Sequence, residues 1–212
     1  MIYLGTQPND VKKNTGLYTP SEILQLTKEG SWGGSLELIE EQTVTTETSA
    51  IEFTDLKNYD VHLLVCSNFQ PNATGDGASL ITRISNDGGS SYIATGYQEA
   101  LQRILADGTN SEVKSTNTTR FTRSAGATGS STNENGEGYT YFYNLLNSSK
   151  YSFSTTHILG TDGATNFNMY FGGSVLPTAE THNAIQVFSS VGGSSISTLT
   201  AKLYGVKQIW VT

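Results

Sequence analysis

The sequence predicts an all-β protein, an antiparallel β-sandwich of the jelly-roll type with a short helical segment before it. Numerous short segments with strand-like patterns follow one another without helical segments between them, which is typical of two antiparallel sheets packed face to face. The chain contains 11 Tyr, and its β-branched runs are interrupted by 22 Gly together with Asn, Asp and Ser. These residue types favour strands joined by tight turns.

Composition excludes several classes of protein. The 212 residues suffice for one large domain, and the 10% aromatic and 15% charged residues argue against disorder. The net charge of −7 argues against sequence-independent nucleic-acid binding, which needs a basic face. No run approaches the roughly 18 apolar residues of a membrane-spanning helix, and the opening residues are unlike a secretory signal. The single cysteine, Cys66, lies in an apolar run and is expected to be a buried thiol.

Residues 1–34 differ from the rest and predict an N-terminal arm, with the β-sandwich domain over residues 35–212. Thr19 fits a helix N-cap, Pro20 the first helical position and Glu22 the residue that completes a capping box. The pattern predicts a helix over Pro20–Glu29. So short a helix buries little surface alone, and it either packs on the main domain or docks on a partner. The residues expected to anchor it are Thr19, Pro20, Glu22, Ile23, Leu24, Leu26 and Trp32.

Strands are predicted from Ser35 onward. Ile51–Leu56 alternates apolar and polar residues, and Asp60–Ser67 is apolar on both faces, as in a strand buried on both sides. The turn sequence Asn86-Asp87-Gly88-Gly89 lies between two β segments and predicts a hairpin. The other predicted strands are Ser35–Glu40, Gln42–Glu47, Ser79–Ser85, Ser91–Tyr97, Tyr139–Leu146, Tyr151–Leu159, Phe167–Phe171, Ala184–Ser190, Ser197–Val206 and Gln208–Val211.

Two segments lack a clear strand pattern. Apolar residues in Tyr97–Ala106 recur at helical spacing, whereas strand alternation would put Glu99 and Arg103 on the same face as Leu101. The local pattern therefore favours a helix there. Ser124–Gly138 is nearly free of apolar side chains and predicts a long exposed loop.

No arrangement of residues suggests catalysis, and the sequence predicts no enzyme, no cofactor and no metal site. The motif G-x-S-x-G and the glycine-rich phosphate-binding motifs are absent. The three histidines lack zinc-ligand spacing. His62 and His157 are each expected at a core or edge position with a neighbouring group as partner, and His182 is expected in a solvated loop. Aspartates beside glycine, such as Asp87, are explained by turn formation.

Tyr139, Tyr141 and Tyr143 alternate along one predicted strand and therefore share a face, with Phe142 on the other. Such a row of rings can pack in a core or subunit interface, or it can stack on sugar rings. Packing is the favoured interpretation, and contact with a glycan is the alternative.

Several short segments occur together and in a fixed order: Ile51–Asp55 (IEFTD), Tyr59–Val61, Arg83–Tyr92 (RISNDGGSSY), Gly96-Tyr97, Ala184-Ile185 and Lys202–Lys207 (KLYGVK). In this the chain resembles a family of tailed-phage virion proteins, frequent in cyanophages and other marine phages, that carry a tail-fibre-like β-sandwich module. The resemblance implies a jelly-roll module that oligomerises, often as a trimer, on the particle surface. It also implies a strand at Tyr97–Leu105, and it brings no catalytic motif.

We therefore expect a non-enzymatic structural protein of a phage virion, in the tail or fibre apparatus, made in the host cytoplasm. The expected partners are further copies of the chain, as a homotrimer, and other virion proteins of the tail, baseplate or major capsid. Neither nucleic acid nor a membrane is expected as a partner. Two alternatives remain: a decoration (cement) protein on the phage head, and an adhesin that binds a host surface glycan.

Overall fold

A computed structural model of the chain describes residues 19–21, 24–25, 35–72, 77–161, 166–191 and 195–207. The chain divides between Ser35 and Leu36 into two units, and the fold below is that of the second unit. Most of the helix predicted over Pro20–Glu29 lies outside the described residues, as does the predicted strand Gln208–Val211. The described helical positions are Pro20, Ser21, Leu24 and Gln25, and the anchor residues outside the described part are Glu22, Ile23, Leu26 and Trp32.

Among the described residues of the second unit, the regular structure consists of twelve strands. In chain order these are β1 (Leu36–Val44), β2 (Ala50–Phe53), β3 (Val61–Pro71), β4 (Ala78–Ser85), β5 (Tyr97–Leu105), β6 (Asn110–Thr118), β7 (Thr122–Thr128), β8 (Gly136–Tyr143), β9 (Tyr151–Thr161), β10 (Phe167–Ala179), β11 (Ala184–Ser189) and β12 (Ile196–Val206). The two strands predicted over Ser35–Glu40 and Gln42–Glu47 are one strand, β1, with a bulge between Leu38 and Glu40.

The strands form two antiparallel sheets packed as a sandwich, which confirms the predicted all-β antiparallel sandwich. The large sheet has eight strands in the order β1-β12-β3-β8-β9-β10-β5-β6, and the small sheet has four in the order β2-β11-β4-β7. Two hairpins, β5–β6 and β9–β10, supply the last four strands of the large sheet. The large sheet therefore has four strands more than the small one.

Apolar side chains of both sheets fill the space between them. The rings of Tyr97, Phe121 and Phe142 pack in series there, with centroid separations of 5.4 and 5.8 Å. The Tyr97 hydroxyl donates a hydrogen bond to the Ile93 carbonyl at 2.8 Å, so this buried phenol keeps a polar partner. Cys66 lies in the same core, as predicted.

Strand β7 closes one side of the sandwich by lying directly against the large sheet. The Thr156 hydroxyl donates to the Arg123 carbonyl of β7 at 2.7 Å, and the Asn168 amide donates to the Ala127 carbonyl at 2.9 Å. The exposed loop predicted over Ser124–Gly138 is therefore wrong at both ends, because β7 is buried and β8 begins at Gly136. Small Ser, Ala and Gly side chains let two backbones approach closely, and their lack of apolar bulk gives the segment the pattern of a loop.

Residues Tyr97–Leu105 form strand β5, as the resemblance implies, so the helix that the local spacing favours is wrong. Glu99 and Leu101 are both buried on the inner face of this strand. Strand alternation therefore places a carboxylate between apolar neighbours, and the Glu99 carboxylate is paired with the guanidinium of Arg120. The ion pair with Arg120 offsets the cost of burying the Glu99 carboxylate. Local residue spacing within β5 carries no information about this partner, because Arg120 lies in another segment.

The hairpin predicted at Asn86-Asp87-Gly88-Gly89 is also wrong, because the second strand predicted for it, Ser91–Tyr97, is absent. Residues 91–96 are irregular, and β5, which begins at Tyr97, belongs to the large sheet whereas β4 belongs to the small one. The turn itself is present. The Ser91 hydroxyl and backbone amide donate to the Asp87 carboxylate at 2.6 and 2.9 Å, and Gly88 and Gly89 have positive φ of 76° and 90°. An Asp-Gly sequence thus specifies a tight turn without specifying that the flanking strands pair.

Candidate interaction face

The outer surface of the large sheet carries a band of aromatic and aliphatic side chains on three adjacent strands, which we call the aromatic face. Its members are Tyr139, Tyr141 and Tyr143 of β8, Tyr151, Phe153, His157 and Leu159 of β9, and Phe167 and Phe171 of β10. Six of these, Tyr139, Tyr151, Phe153, Leu159, Phe167 and Phe171, are each between 40% and 47% exposed. A run of large apolar groups this exposed marks an interaction surface rather than a core.

Strand alternation explains why these side chains share one face. Along β9, exposed and buried residues alternate from Tyr151 to Gly160, so Phe153 points outward while Ser154 and Ile158 point into the sandwich. The sequence prediction for β8 is confirmed in the same way. Tyr139, Tyr141 and Tyr143 lie on the outer face, and Phe142 is fully buried on the inner one.

The rings of the aromatic face contact one another. The centroids of Tyr139 and Tyr141 are 6.1 Å apart in an edge-to-face arrangement, and those of Tyr141 and Tyr143 are 6.4 Å apart and stacked. The Tyr143 hydroxyl lies 3.0 Å from the Thr155 hydroxyl on the next strand. These contacts limit the rotamers available to the rings, so the surface is partly pre-organised for a partner.

His157 belongs to the aromatic face of an interior strand, so the core or edge position predicted for it is wrong, although it does have neighbouring partners. Its Nδ1 lies 3.2 Å from the Tyr139 hydroxyl, and its Nε2 lies 3.0 Å from the sulfur of Met169. Strand β9 is buried on one side only, and His157 occupies the other side. The sequence did carry that signal, because the alternation from Tyr151 to Leu159 places His157 in the same set as Phe153.

The other two histidines are buried. His62 is in the core as predicted, with Nε2 2.5 Å from the Leu56 carbonyl oxygen. His182, predicted in a solvated loop, is instead fully buried, with Nδ1 2.8 Å from the Ser152 hydroxyl and Nε2 3.2 Å from Glu180. Burial lowers the pKa of both imidazoles from their ordinary value, because it disfavours the charged form.

One row across the large sheet carries its charged side chains near the two edges of the sheet. One row of register partners crosses all eight strands in the order Glu41, Lys202, Val65, Tyr139, His157, Phe171, Gln102 and Glu112. The ionised groups stand at the two ends of this row, where Glu41 pairs with Lys202 and Glu112 with Lys114. The centre of the row, over β3, β8, β9 and β10, therefore carries no carboxylate, Lys or Arg.

Two grooves lie beside the rings of the aromatic face. One, of about 640 Å³, lies where the small residues Ala100, Thr155 and Gly173 are register neighbours, beside Phe153. The other, of about 580 Å³, is lined by Tyr139 and Tyr141 together with side chains of β3. The face thus offers both protruding rings and depressions, which suits packing against another surface with similar relief.

The aromatic face offers ring surfaces and phenol hydroxyls for binding. Among the described residues there is no group of three or more His, Cys, Asp or Glu side chains placed to hold a metal ion. In that same part of the chain, no helix is long and apolar enough to cross a membrane.

The fold and this surface define an antiparallel β-sandwich with an apolar, ring-rich outer face. No protein-family model, curated protein or solved structure matches the chain. The functional interpretation therefore depends on the order of the strands, the aromatic face and the sequence resemblance described above.

Proposed function

We propose that this protein is a non-enzymatic structural component of a phage virion, a jelly-roll module of the tail or fibre apparatus. In this proposal the module self-associates as a homotrimer through the aromatic face and docks on another virion protein through residues 1–34. The single observation that carries the proposal is the aromatic face, an exposed and pre-organised apolar surface at the centre of the large sheet.

The order of the strands supports a jelly roll. Without the two inserted hairpins, β5–β6 and β9–β10, the sheets have the orders β1-β12-β3-β8 and β2-β11-β4-β7. In this arrangement the chain crosses to the other sheet after every strand except β4, which is followed by its neighbour β7, and the first and last strands are neighbours, as in the two Greek keys of a jelly roll. Jelly rolls recur in viral capsid and lectin domains, which agrees with a role on the surface of a particle.

A second copy of the chain is the partner that best fits the aromatic face. Copies that each carry a net charge of −7 repel one another, so they can approach closely only where charge is sparse. The area of the aromatic face follows from strand geometry. Four strands at a spacing of about 4.8 Å, each contributing nine residues with a rise of about 3.3 Å per residue, cover about 600 Å². This area approaches the roughly 800 Å² that each partner buries in a stable interface, and the rim of paired charges resembles the polar rim of such an interface.

Carbohydrate binding is the second candidate function. The groove of about 580 Å³ lies against the rings of Tyr139 and Tyr141, and Glu137 also lines it. Ring faces that stack on sugars and a carboxylate that accepts hydrogen bonds from hydroxyl groups are the usual means of binding a glycan. A glycan array with the purified chain tests this candidate, and binding that a Tyr141→Ala change abolishes would favour it.

The mass of the full chain in solution tests the proposal. We expect the wild-type protein to be a trimer by light scattering, and we expect Phe153→Lys and Phe171→Lys to give folded monomers because each places a charge in the centre of the face. The matched control is Val191→Lys, which changes an exposed apolar residue outside the large sheet and should leave the trimer intact. A monomeric wild type, or variants that assemble normally, would refute the proposed interface.

The place of the protein in a particle is tested separately. Imaging of intact virions with the protein labelled should show it in the tail or fibre apparatus, whereas density on the head would favour the decoration alternative. Deletion of residues 1–34 should leave a folded domain that no longer incorporates into particles. Normal incorporation of that truncated chain would reject the anchor role of the segment.

A further inference from the structure

Three of the chain's four arginines converge at one place in the sandwich. Arg103 lies on β5, Arg123 lies on β7, and Arg120 belongs to the connection just before β7. They meet on the inner side of the strands that the hairpins add to the large sheet, around the buried residues Glu99 of β5 and Tyr170 of β10. We call these three arginines with Glu99 and Tyr170 the arginine cluster.

The single carboxylate of the cluster is taken up by one arginine. Arg120 binds both oxygens of Glu99, with its Nε 3.0 Å from Oε1 and its Nη2 against Oε2. The Nε of Arg123 is 3.9 Å from Oε1, which is too long for a hydrogen bond. Arg123 instead binds the Ser79 hydroxyl through Nη1 at 2.9 Å. The cluster therefore holds three positive charges and one negative charge.

The other two guanidinium groups both lie close to one ring. The Cζ atoms of Arg123 and Arg103 lie 5.1 and 5.7 Å from the centroid of Tyr170. In both arginines the Nε is buried and has no hydrogen-bond partner among the described residues. Ser174 is the register partner of Glu99, and its hydroxyl is likewise buried without a hydrogen-bond partner among the described residues. The face of an aromatic ring attracts a guanidinium cation, but it does not accept the strong hydrogen bonds that the oxygens of an anion accept from guanidinium N–H groups.

Buried positive charges without partners are unfavourable, and a bound anion relieves the cost. Burial and the neighbouring Arg120 lower the pKa of Arg123, which agrees with a shortage of negative charge around it. Arg103 also influences the carboxylate of Asp107, which lies exposed in the β5–β6 turn and is held mainly by Thr109. Solvent ions can reach the cluster, because the side chains of Arg120 and Arg123 keep 22% and 16% of their exposure.

We propose that the arginine cluster is a binding site for a tetrahedral oxyanion, with Arg103 and Arg123 as its principal ligands beside Tyr170. A guanidinium presents N–H donors in a planar fork that matches phosphate and sulfate oxygens. This site is separate from the aromatic face, which is on the opposite side of the large sheet, and its existence does not depend on the virion role.

Thermal unfolding of the full chain in inorganic phosphate tests the site, with sodium chloride of equal ionic strength as the reference. Phosphate at a large excess over its dissociation constant should raise Tm by about 5 °C, because the ligand binds the native state alone. Arg103→Gln should abolish this rise. In chloride this variant should unfold within about 2 °C of wild type, because it removes an unpaired charge along with one ring contact. Arg83→Gln is the matched control, since Arg83 lies over Phe188, donates to the Thr119 carbonyl and makes no contact with Glu99 or Tyr170 among those that define the cluster, so this variant should keep the full rise.

Calorimetric titration with phosphate gives a second readout that does not depend on unfolding. Wild type should bind one phosphate per chain, and Arg123→Lys, which keeps the charge but loses the fork, should bind at least about tenfold more weakly. Sulfate should compete with phosphate at the same site. A wild type that binds no phosphate, or a rise in Tm that persists in Arg103→Gln, would overturn the proposal.

Discussion

The backbone of Leu159 leaves no room for a side chain at Gly126: a Cβ at position 126 would lie 2.2 Å from the Leu159 carbonyl carbon. The reverse contact is equally close, since a Cβ at Gly160 would lie 2.4 Å from the Ala127 carbonyl oxygen. Strands β7 and β9 therefore approach backbone to backbone across the two sheets. This contact brings β7 near enough for Thr156 and Asn168 to donate to its carbonyl groups.

Replacement of Gly126 by alanine should destabilise the fold by about 3 kcal/mol, because the new methyl group meets backbone that cannot move without breaking these hydrogen bonds. Urea unfolding followed by circular dichroism measures the change. Gly108→Ala is the control, since position 108 has open space around it but a positive φ, and it should cost about 1 kcal/mol. Equal effects at the two positions would contradict a steric origin for the first.

Glu99 is the residue on which the arginine cluster depends. Its carboxylate is fully buried and holds Arg120 through both oxygens. Glu99→Gln should destabilise the protein by about 3 kcal/mol, because it leaves buried guanidinium groups without any negative partner. The matched control is Glu112→Gln on the neighbouring strand β6, whose ion pair with Lys114 is exposed and should contribute little. A small effect at position 99, measured by urea unfolding, would show that the ion pair does not hold β5 in place.

Glu99 also illustrates where prediction of this fold from the sequence fails. The alternating patterns of β2, β8 and β9, together with the apolar run of β3, are sufficient to predict the sandwich. The spacing of Tyr139 and Tyr141 is sufficient to place their rings on one face. The local pattern misses strand β5 because Glu99 and Arg103 point inward. Glu99 is paired there with Arg120, which precedes β7, and Arg103 lies over Tyr170 of β10. Strand β7 is missed because close backbone contact requires small residues, and small residues are also typical of loops. Both cases depend on contacts between distant segments, which a local pattern does not contain.

Stability should fall as the pH is lowered below about 6.5, the ordinary pKa of histidine. Burial lowers the pKa of His182 and of His62 in the folded protein, so the unfolded chain binds more protons in this range. The stability that these neutral imidazoles contribute is therefore complete at neutral pH and is lost as the pH falls toward their folded pKa values. Urea midpoints from neutral pH to about pH 5 should show this decline. His182→Gln should flatten the curve, and an unchanged slope in that variant would contradict the assignment.

Cys66 provides a probe of opening of the sandwich. Burial raises the pKa of its thiol from 9.0 to about 12, so the native state holds about a thousandfold less thiolate than a free cysteine at the same pH. Alkylation by iodoacetamide, followed by mass spectrometry, should be negligible in the native protein and rapid in denaturant. Because the thiolate is the reactive form, labelling of the native protein should proceed through transient opening and should speed up in Gly126→Ala. Labelling of wild type at the rate of an exposed cysteine would show that β3 is open to solvent, and the close packing of the core would then be refuted.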